Sequence, residues 1–309
     1  MEYVNAVASI FTEGCMFGIM VLGVFITFRV LNFPDLTVDG SFPLGAAIMT
    51  TFIVSGYNHV LGIFIAFLAG LLAGMLTAFL HNELKIPNLL AGILTMIMLY
   101  SINLKILGAS NVSLIHKKTI LTDVFGFLRQ FGFSKEISYA LFFLLFVFFI
   151  KFLLDIFFRT DLGMTLGALG NNQQMVVSQG VNPKIIKIVG VGLSNGLVAI
   201  AGSFNAQYQG FGDVGFGQGI IIAGLASVMI GEFLIRSNKI FWLTINVILG
   251  SILFNAVMFG ARALIFYINL PFITASDLKL VQVILVIACL IAIRARSSLR
   301  GKRKKRGNA

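Results

Sequence analysis

The chain has 309 residues, of which 58% are hydrophobic and only 11% charged, with a mean hydropathy of +0.96. A soluble domain carries about 25% charged residues; folding alone cannot hide this much apolar surface from water, so the chain is an integral membrane protein. The formal charge of +11 does not point to nucleic acid, because eight of the positive charges lie in 294–306 with no acid among them, leaving +3 for the rest.

A basic tail directly after an apolar run fits the positive-inside rule and anionic lipid. In lipid only helices and closed barrels satisfy the backbone, and these apolar runs are unbroken rather than alternating, so the expected fold is an all-α polytopic bundle. It forms one membrane domain, 1–293, followed by a basic cytoplasmic tail, 294–309.

In chain order the expected spans are 7–28, 42–55, 60–80, 89–107, 138–158, 185–204, 220–235, 240–267 and 278–293. This gives about nine spans (eight to ten) against the 20 or so residues a bilayer needs, with 42–55 and 220–235 read as two short ones. No basic region precedes the first span, and Glu2 and Glu13 bracket the N-terminus, so no cleavable signal is expected. Cys15 and Cys289 both fall in apolar runs, which argues against a disulfide. With the tail in the cytoplasm, alternate loops place Arg29, Lys85, Arg159, Lys184, Lys187, Arg236 and Lys239 inside and the N-terminus outside. The loop after Leu107 then lies outside despite Lys117, Lys118, Arg129 and Lys135. Within it Ile120, Val124, Phe127, Leu128 and Phe131 recur at helical spacing, which predicts a helix lying on the outer face or packed on the bundle. Gly14/Gly18, Gly70/Gly74 and Gly192/Gly196 carry the four-residue spacing that lets helix backbones approach closely.

The stretch 162–187 differs from its greasy surroundings. Asn171, Asn172, Gln173 and Gln174 run together, then Ser178, Gln179, Asn182 and Pro183. One short apolar turn, 175–177, is bounded by Gly170 and Gly180. This predicts a short helix with one apolar side, held in a polar loop at the inner membrane surface, where another protein pushes on it.

Enzyme motifs occur only literally. Gly192, Ser194 and Gly196 spell GxSxG, but inside an apolar helix, with His59, His81 and His116 far along the chain and near loops. Gly210, Gly212 and Gly215 spell GxGxxG, but between two spans and without a βαβ unit. No cluster has metal-ligand spacing and no P-loop is present. The chain therefore brings no cofactor of its own, and if ATP drives it, another subunit binds the nucleotide.

Two broken segments carry the remaining signal. Asp35 and Asp39 precede the short span at 42–55; Asp213 and the glycines 210, 212, 215, 217 and 219 precede the short span at 220–235. Interrupted segments at matching places in two halves, related as pseudo-repeats, mark a transport pathway. Asp35 and Asp39 fit either that pathway or a helix cap at the inner interface.

At this point the residues resemble a known family. The stretch 35–41, with Asp35, Thr37, Asp39, Gly40 and Ser41, resembles the DLSVG-type segment of sugar and nucleoside ABC importer permeases. Gly167, Ala168, Gly170, Asn171 and Asn172 resemble their A-x-G-x-N cytoplasmic loop, followed by Ser178 and Gly180. The span ending at Gly196 to Gly202 is similar to their GL-x-x-x-AG pattern, and Gly217 and Gly219 with Ala223, Gly231 and Glu232 to their last signature, usually closed by Gly-Gly. The similarity covers 32–259, and the string around 32–47 is most similar to an amino-acid, tryptophan-type subgroup.

The resemblance implies a permease subunit in the bacterial inner membrane: two copies form the pore, a cytoplasmic ATPase dimer powers it and an external solute-binding protein delivers the solute. Gly167, Ala168, Gly170, Asn171, Asn172, Ser178 and Gly180 would then form the ATPase-coupling loop. Asp35, Thr37, Asp39, Gly40, Ser41, Gly215, Gly217 and Gly219 would line the translocation pathway. Such a push works only if the transporter's two states differ by a few kcal/mol. The alternative is an ion-coupled secondary transporter, which would need an ionisable residue at mid-membrane; Glu13, Lys105, Lys151, Asp155, Glu232, Arg262 and Lys279 all lie within about two turns of an expected span end.

Overall fold

The computed structural model describes residues 2–234 and 239–268, with 283, 284 and 287. Seven helices are long and apolar enough to cross a membrane: Asn5–Val30, His59–Leu84, Asn88–Leu107, Lys135–Arg159, Pro183–Gln209, Val214–Leu234 and Ile240–Ala263; Val38–Val54 is a shorter apolar helix. The expected count of nine is thus seven plus one short helix among the described residues. The ninth expected span, 278–293, and the tail, 294–309, lie outside them. The segment at 220–235 reaches spanning length because a 3-10 turn, Val214–Gly217, leads into it.

The helices are α1 (Glu2–Phe25), α2 (Val38–Val54), α3 (His59–Leu84), α4 (Asn88–Leu107), α5 (Ile120–Arg129), α6 (Lys135–Arg159), α7 (Asp161–Asn171), α8 (Gln173–Ser178), α9 (Pro183–Gln209), α10 (Ile220–Leu234) and α11 (Ile240–Ile268). Helices α1, α2 and α9 form the centre, and α9 is buried on nearly all sides from Gly190 to Gln207. The surrounding helices α3, α4 and α6 turn large apolar side chains outward, such as Phe64, Leu72, Ile97, Leu145 and Phe152. Exposed side chains of this size in a continuous belt match hydrocarbon as solvent.

Little hydrophobic force separates a helix–helix contact from a helix–lipid contact, so small residues and close approach decide which helices pair. A Cβ on Gly70 would sit 2.4 Å from the Asn195 carbonyl oxygen, and one on Gly74 2.3 Å from that of Val191, which locks α3 to α9. Gly45 faces the Ala199 carbonyl and Gly202 that of Phe42, so α2 and α9 also touch backbone to backbone. Gly14 meets the Cα of Ile252 and joins α1 to α11. Of the spaced glycines, Gly192 and Gly196 take side chains instead, Met75 and Phe67 of α3.

Among the described residues one buried ion pair lies within the bundle. Lys151 Nζ donates to Asp155 Oδ2 at 2.5 Å, one turn apart on α6. The other carboxylate oxygen accepts from Thr244 Oγ1 at 2.9 Å, and the ammonium sits 3.4 Å from the centre of the Phe241 ring. Both partners beyond α6 come from the first turns of α11.

At the end of the bundle opposite α7 and α8, two three-residue strands pair antiparallel. β1 (Asn111–Ser113) follows α4 and β2 (Phe211–Asp213) follows α9, with Asn111 opposite Asp213 and Ser113 opposite Phe211. Helix α5 lies at this end too, opened by a capping box in which Thr119 and Thr122 exchange side-chain and backbone bonds. Its Ile120 N–H donates to Gln207 Oε1 of α9. Leu121 is buried while Phe127 and Phe131 are exposed and in ring contact.

Candidate functional site

Three features bear on function: a helical arm at one end, a polar seam through the middle and a groove near the other end.

The arm covers the polar stretch 162–187. Residues 161–171 form helix α7, where a loop was expected around the short apolar turn; α8 alone is the short helix foreseen. The caps explain the breaks. Thr160 Oγ1 accepts from Gly163 N–H and starts α7. Asn172 Oδ1 accepts from Met175 N–H and starts α8. Asn182 Oδ1 accepts from Lys184 N–H, and Pro183 takes the first position of α9. Between them, Gly180 at φ +78° closes α8 with a complete Schellman pair: its N–H bonds the Val177 carbonyl, and Val181 N–H bonds that of Val176. Ser178 turns its hydroxyl back onto the Met175 carbonyl. Helix α8 buries Val176 and leaves Met175 and Val177 about half exposed, with no charged residue on it.

Gly170 is not a loop glycine. A Cβ there would lie 1.9 Å from the Val30 carbonyl oxygen, and Gly167 also faces Val30. Val30 ends a π-helical turn, Ile26–Val30, in which Leu31 N–H reaches the Ile26 carbonyl. The arm therefore sits on the end of α1, at the point where its helix carries one extra residue. Arg29 in this turn pairs with Glu232 of α10. Asn171 lies exposed at the end of α7 and Ala168 packs inward.

The seam begins where α1 stops. Residues 31–37 are unwound, yet Asp35, Thr37 and Ser41 are fully buried. Asp35 accepts from Thr37 N–H and from Asn195 Nδ2 at 2.7 Å; Asn195 in turn accepts from Ser41 Oγ at 2.7 Å. Thr37 and Thr77 share a hydroxyl contact at 2.7 Å. Gly40 lies against Leu99 and Met96 of α4. Non-helical backbone at membrane depth persists only where protein covers it, and here α3, α4 and α9 do so.

Asp39 joins the two broken segments. Its carboxylate accepts from Gly219 N–H at 3.2 Å and Ile221 N–H at 2.9 Å, so it caps the start of α10 across 180 positions rather than its own helix. A Cβ on Gly217 would lie 1.7 Å from the Asp39 carbonyl, so that crossing admits no side chain. Gly215 N–H is taken by Asp213 Oδ1. Replacing Asp39 with alanine should cost about 1–2 kcal/mol, with asparagine recovering part of it, read by unfolding in detergent.

The groove is a cavity of about 240 Å³ between α1, α10 and α11. Glu13, Phe17, Phe216, Gly219, Met258 and Arg262 are among its lining residues. Of the residues expected along a pathway, Gly219 reaches it; Asp35, Thr37, Gly40 and Ser41 are packed away in the seam. Glu13 and Arg262, 249 positions apart, had stood out only as charges near span ends, and nothing local in the sequence pairs them.

Comparison with known proteins places this geometry. Residues 6–293 match the family described as branched-chain amino acid transport system, permease component. The chain is 39% identical over 286 residues to the tyrosine transport system permease protein of Clostridioides difficile (strain R20291), covering 93% of this chain and 90% of that one. It is 31% identical over 221 residues to an uncharacterized protein, RP368, of Rickettsia prowazekii (strain Madrid E), covering 71% and 74%. A metal-chelate type ABC transporter solved in an inward-facing conformation aligns over 84% of this chain and 78% of that one, with a TM-score of 0.44 and 18% identity, a likeness too low to carry an argument. On the family match over nearly its whole length, the chain belongs to the branched-chain amino acid transport system permease family: it is a multi-pass inner-membrane permease subunit of an ABC importer, served by separate ATPase subunits and not itself an enzyme.

Proposed function

We propose that the solute is an amino acid with an aromatic side chain and that α7 and α8 deliver the ATPase stroke. The relative named for tyrosine transport, aligned over nine-tenths of both chains, supports the solute class. The stroke reading is carried by one observation: the arm presents an uncharged, half-apolar turn outward and seats Gly170 on the π turn of α1. A short amphipathic helix of this kind fits a groove on a partner. Force on α8 then passes through α7 to Val30, and from there to the unwound 31–37, Asp39 and the start of α10.

In this reading Gly167, Ala168, Gly170, Asn171, Asn172, Ser178 and Gly180 form the coupling loop, and the α7–α8 end faces the cytoplasm. The N-terminus is then outside and the basic tail inside against anionic lipid. Arg29, Lys85, Arg159, Lys184 and Lys187 gather at that end and support this orientation. A second permease copy completes the pore and an external binding protein delivers the solute. Asp35, Thr37, Asp39, Gly40, Ser41, Gly215, Gly217 and Gly219 make up the moving wall of the pathway, in which the broken segments of the two halves act as counterparts.

Converting Met175 and Val177 to glutamate tests the docking. The pair should reduce ATPase retained on the solubilised permease at least about tenfold, since each charge must be desolvated in the groove. The thermal midpoint of the permease should not move, because both side chains already face outward. Full retention of the ATPase together with normal uptake would rule α8 out as the docking element.

A further inference from the structure

The groove between α1, α10 and α11 holds an acid and a base whose pairing is incomplete. One nitrogen of Arg262 reaches Glu13 Oε2 at 3.4 Å, the long end of a hydrogen bond, and no other hydrogen bond to Arg262 is present among the described residues. Elsewhere in the chain Lys184 and Glu83 close to 2.9 Å and Lys151 and Asp155 to 2.5 Å. A guanidinium has five donors in a planar fork that matches a carboxylate with two parallel bonds. Among the described residues most of that capacity is unspent.

Apolar side chains stand beside this pair, with Gln209, Gln218, Ser227 and Asn255 also on the lining. Phe17 stacks on Phe42 with ring centres 6.0 Å apart and planes 6° from parallel, and Phe216 leans on Phe211 at 5.1 Å. Met258 adds a flexible, polarizable thioether on the α11 side. The floor is the start of α10, but its N–H groups at Gly219 and Ile221 already serve Asp39 from behind. An anion entering the groove therefore finds its partner in Arg262 and not in the helix end.

We propose that Glu13 and Arg262 form the head-group site for a zwitterionic amino acid in transit, with the solute's side chain laid between Phe17, Phe216 and Met258. The solute carboxylate takes the open fork of Arg262 and its ammonium takes Glu13, so the long ion pair opens to admit one molecule carrying both charges. A solute lacking either charge leaves one partner without its counter-charge in the groove, which is the penalty that sets selectivity. The site rests on the amino-acid reading above.

The test uses the complete transporter in detergent, without binding protein, with Cys289 replaced by serine and a reporter thiol introduced by Gln218→Cys, an exposed lining position. Maleimide labelling of that thiol is followed against tyrosine, tyramine (no carboxylate) and 3-(4-hydroxyphenyl)propionate (no ammonium). Tyrosine should protect, and each analogue should need at least about tenfold more for the same protection. Arg262→Gln should erase the difference between tyrosine and tyramine only, and Glu13→Gln that between tyrosine and the propionate only. Arg262→Lys and Glu13→Asp, which keep the charges and the fold, should retain both preferences. Equal protection by all three compounds in the parent, or preferences that survive both neutral variants, overturns the site. ATP-driven uptake of tyrosine and other amino acids by the parent in proteoliposomes, with its binding protein supplied, is measured alongside: uptake with no preference in the groove refutes this site and leaves the amino-acid reading standing, whereas absence of uptake of any of them refutes that reading as well.

Discussion

Replacing Gly170 with valine should leave the chain folded and its ATPase partner turning over, while ATP-driven uptake falls to a tenth or less. The first added carbon would sit 1.9 Å from the Val30 carbonyl oxygen and 2.9 Å from the Val30 and Leu31 carbonyl carbons. These are backbone atoms, so no rotamer change relieves the clash. Carbon and oxygen need about 3.3 Å, which lifts α7 from α1 by roughly 1.4 Å. A conformational equilibrium balanced within a few kcal/mol loses a factor of about ten for each 1.4 kcal/mol of misdirected docking energy. Gly180→Ala provides the contrast. It meets open space and only strains a residue at φ +78°, about 1 kcal/mol, and should reduce uptake far less. Equal losses in the two variants, measured as uptake per ATP hydrolysed in proteoliposomes, would mean that the arm does not act through Val30.

Lys151→Met should be strongly destabilising, at about 3–5 kcal/mol, because it leaves Asp155 buried without its cation. Thr244 would still donate to Asp155, but one hydroxyl does not replace an ammonium 2.5 Å away. Pairing the change with Asp155→Leu should recover most of the loss, since a buried ion pair and an apolar pair of similar volume are close in stability. Unfolding in mixed micelles reads both. If the double variant is no more stable than the single one, the pair does more than satisfy its own charges, and its seat against Phe241 is what positions α11.

The spans were legible because their apolar runs are continuous and near bilayer length, and α5 because its apolar residues recur at helical spacing. Helix α8 was legible as one greasy turn between glycines. Helix α7 was not: Gly163, Gly167 and Gly170 argue against a helix by propensity, and only close approach to other segments shows why small residues belong there, Gly163 against the Phe157 carbonyl and Gly170 against that of Val30. The role of Asp39 was open between cap and pathway, because its partners lie 180 positions away on a helix end that sequence reading could not bring near it. Lys151 and Asp155 had the spacing of a helical pair but read as charges near a span end. The span-end reading missed that α11 closes over them.

The small ribbon of β1 and β2 restricts how this bundle can move. Backbone bonds fix Val112 opposite Gly212, extended by Leu114 N–H to Gly210 and Val214 N–H to Ser110. Strand pairing can shift register only in whole steps, and keeping each side chain on its own face requires two residues, about 6.7 Å. Helices α4 and α9, which feed these strands, are therefore free to change their mutual tilt but barred from small axial slips. Any rearrangement between them that keeps the ribbon paired is a rotation pivoting there, with its widest arc at the far end, where α7 and α8 lie.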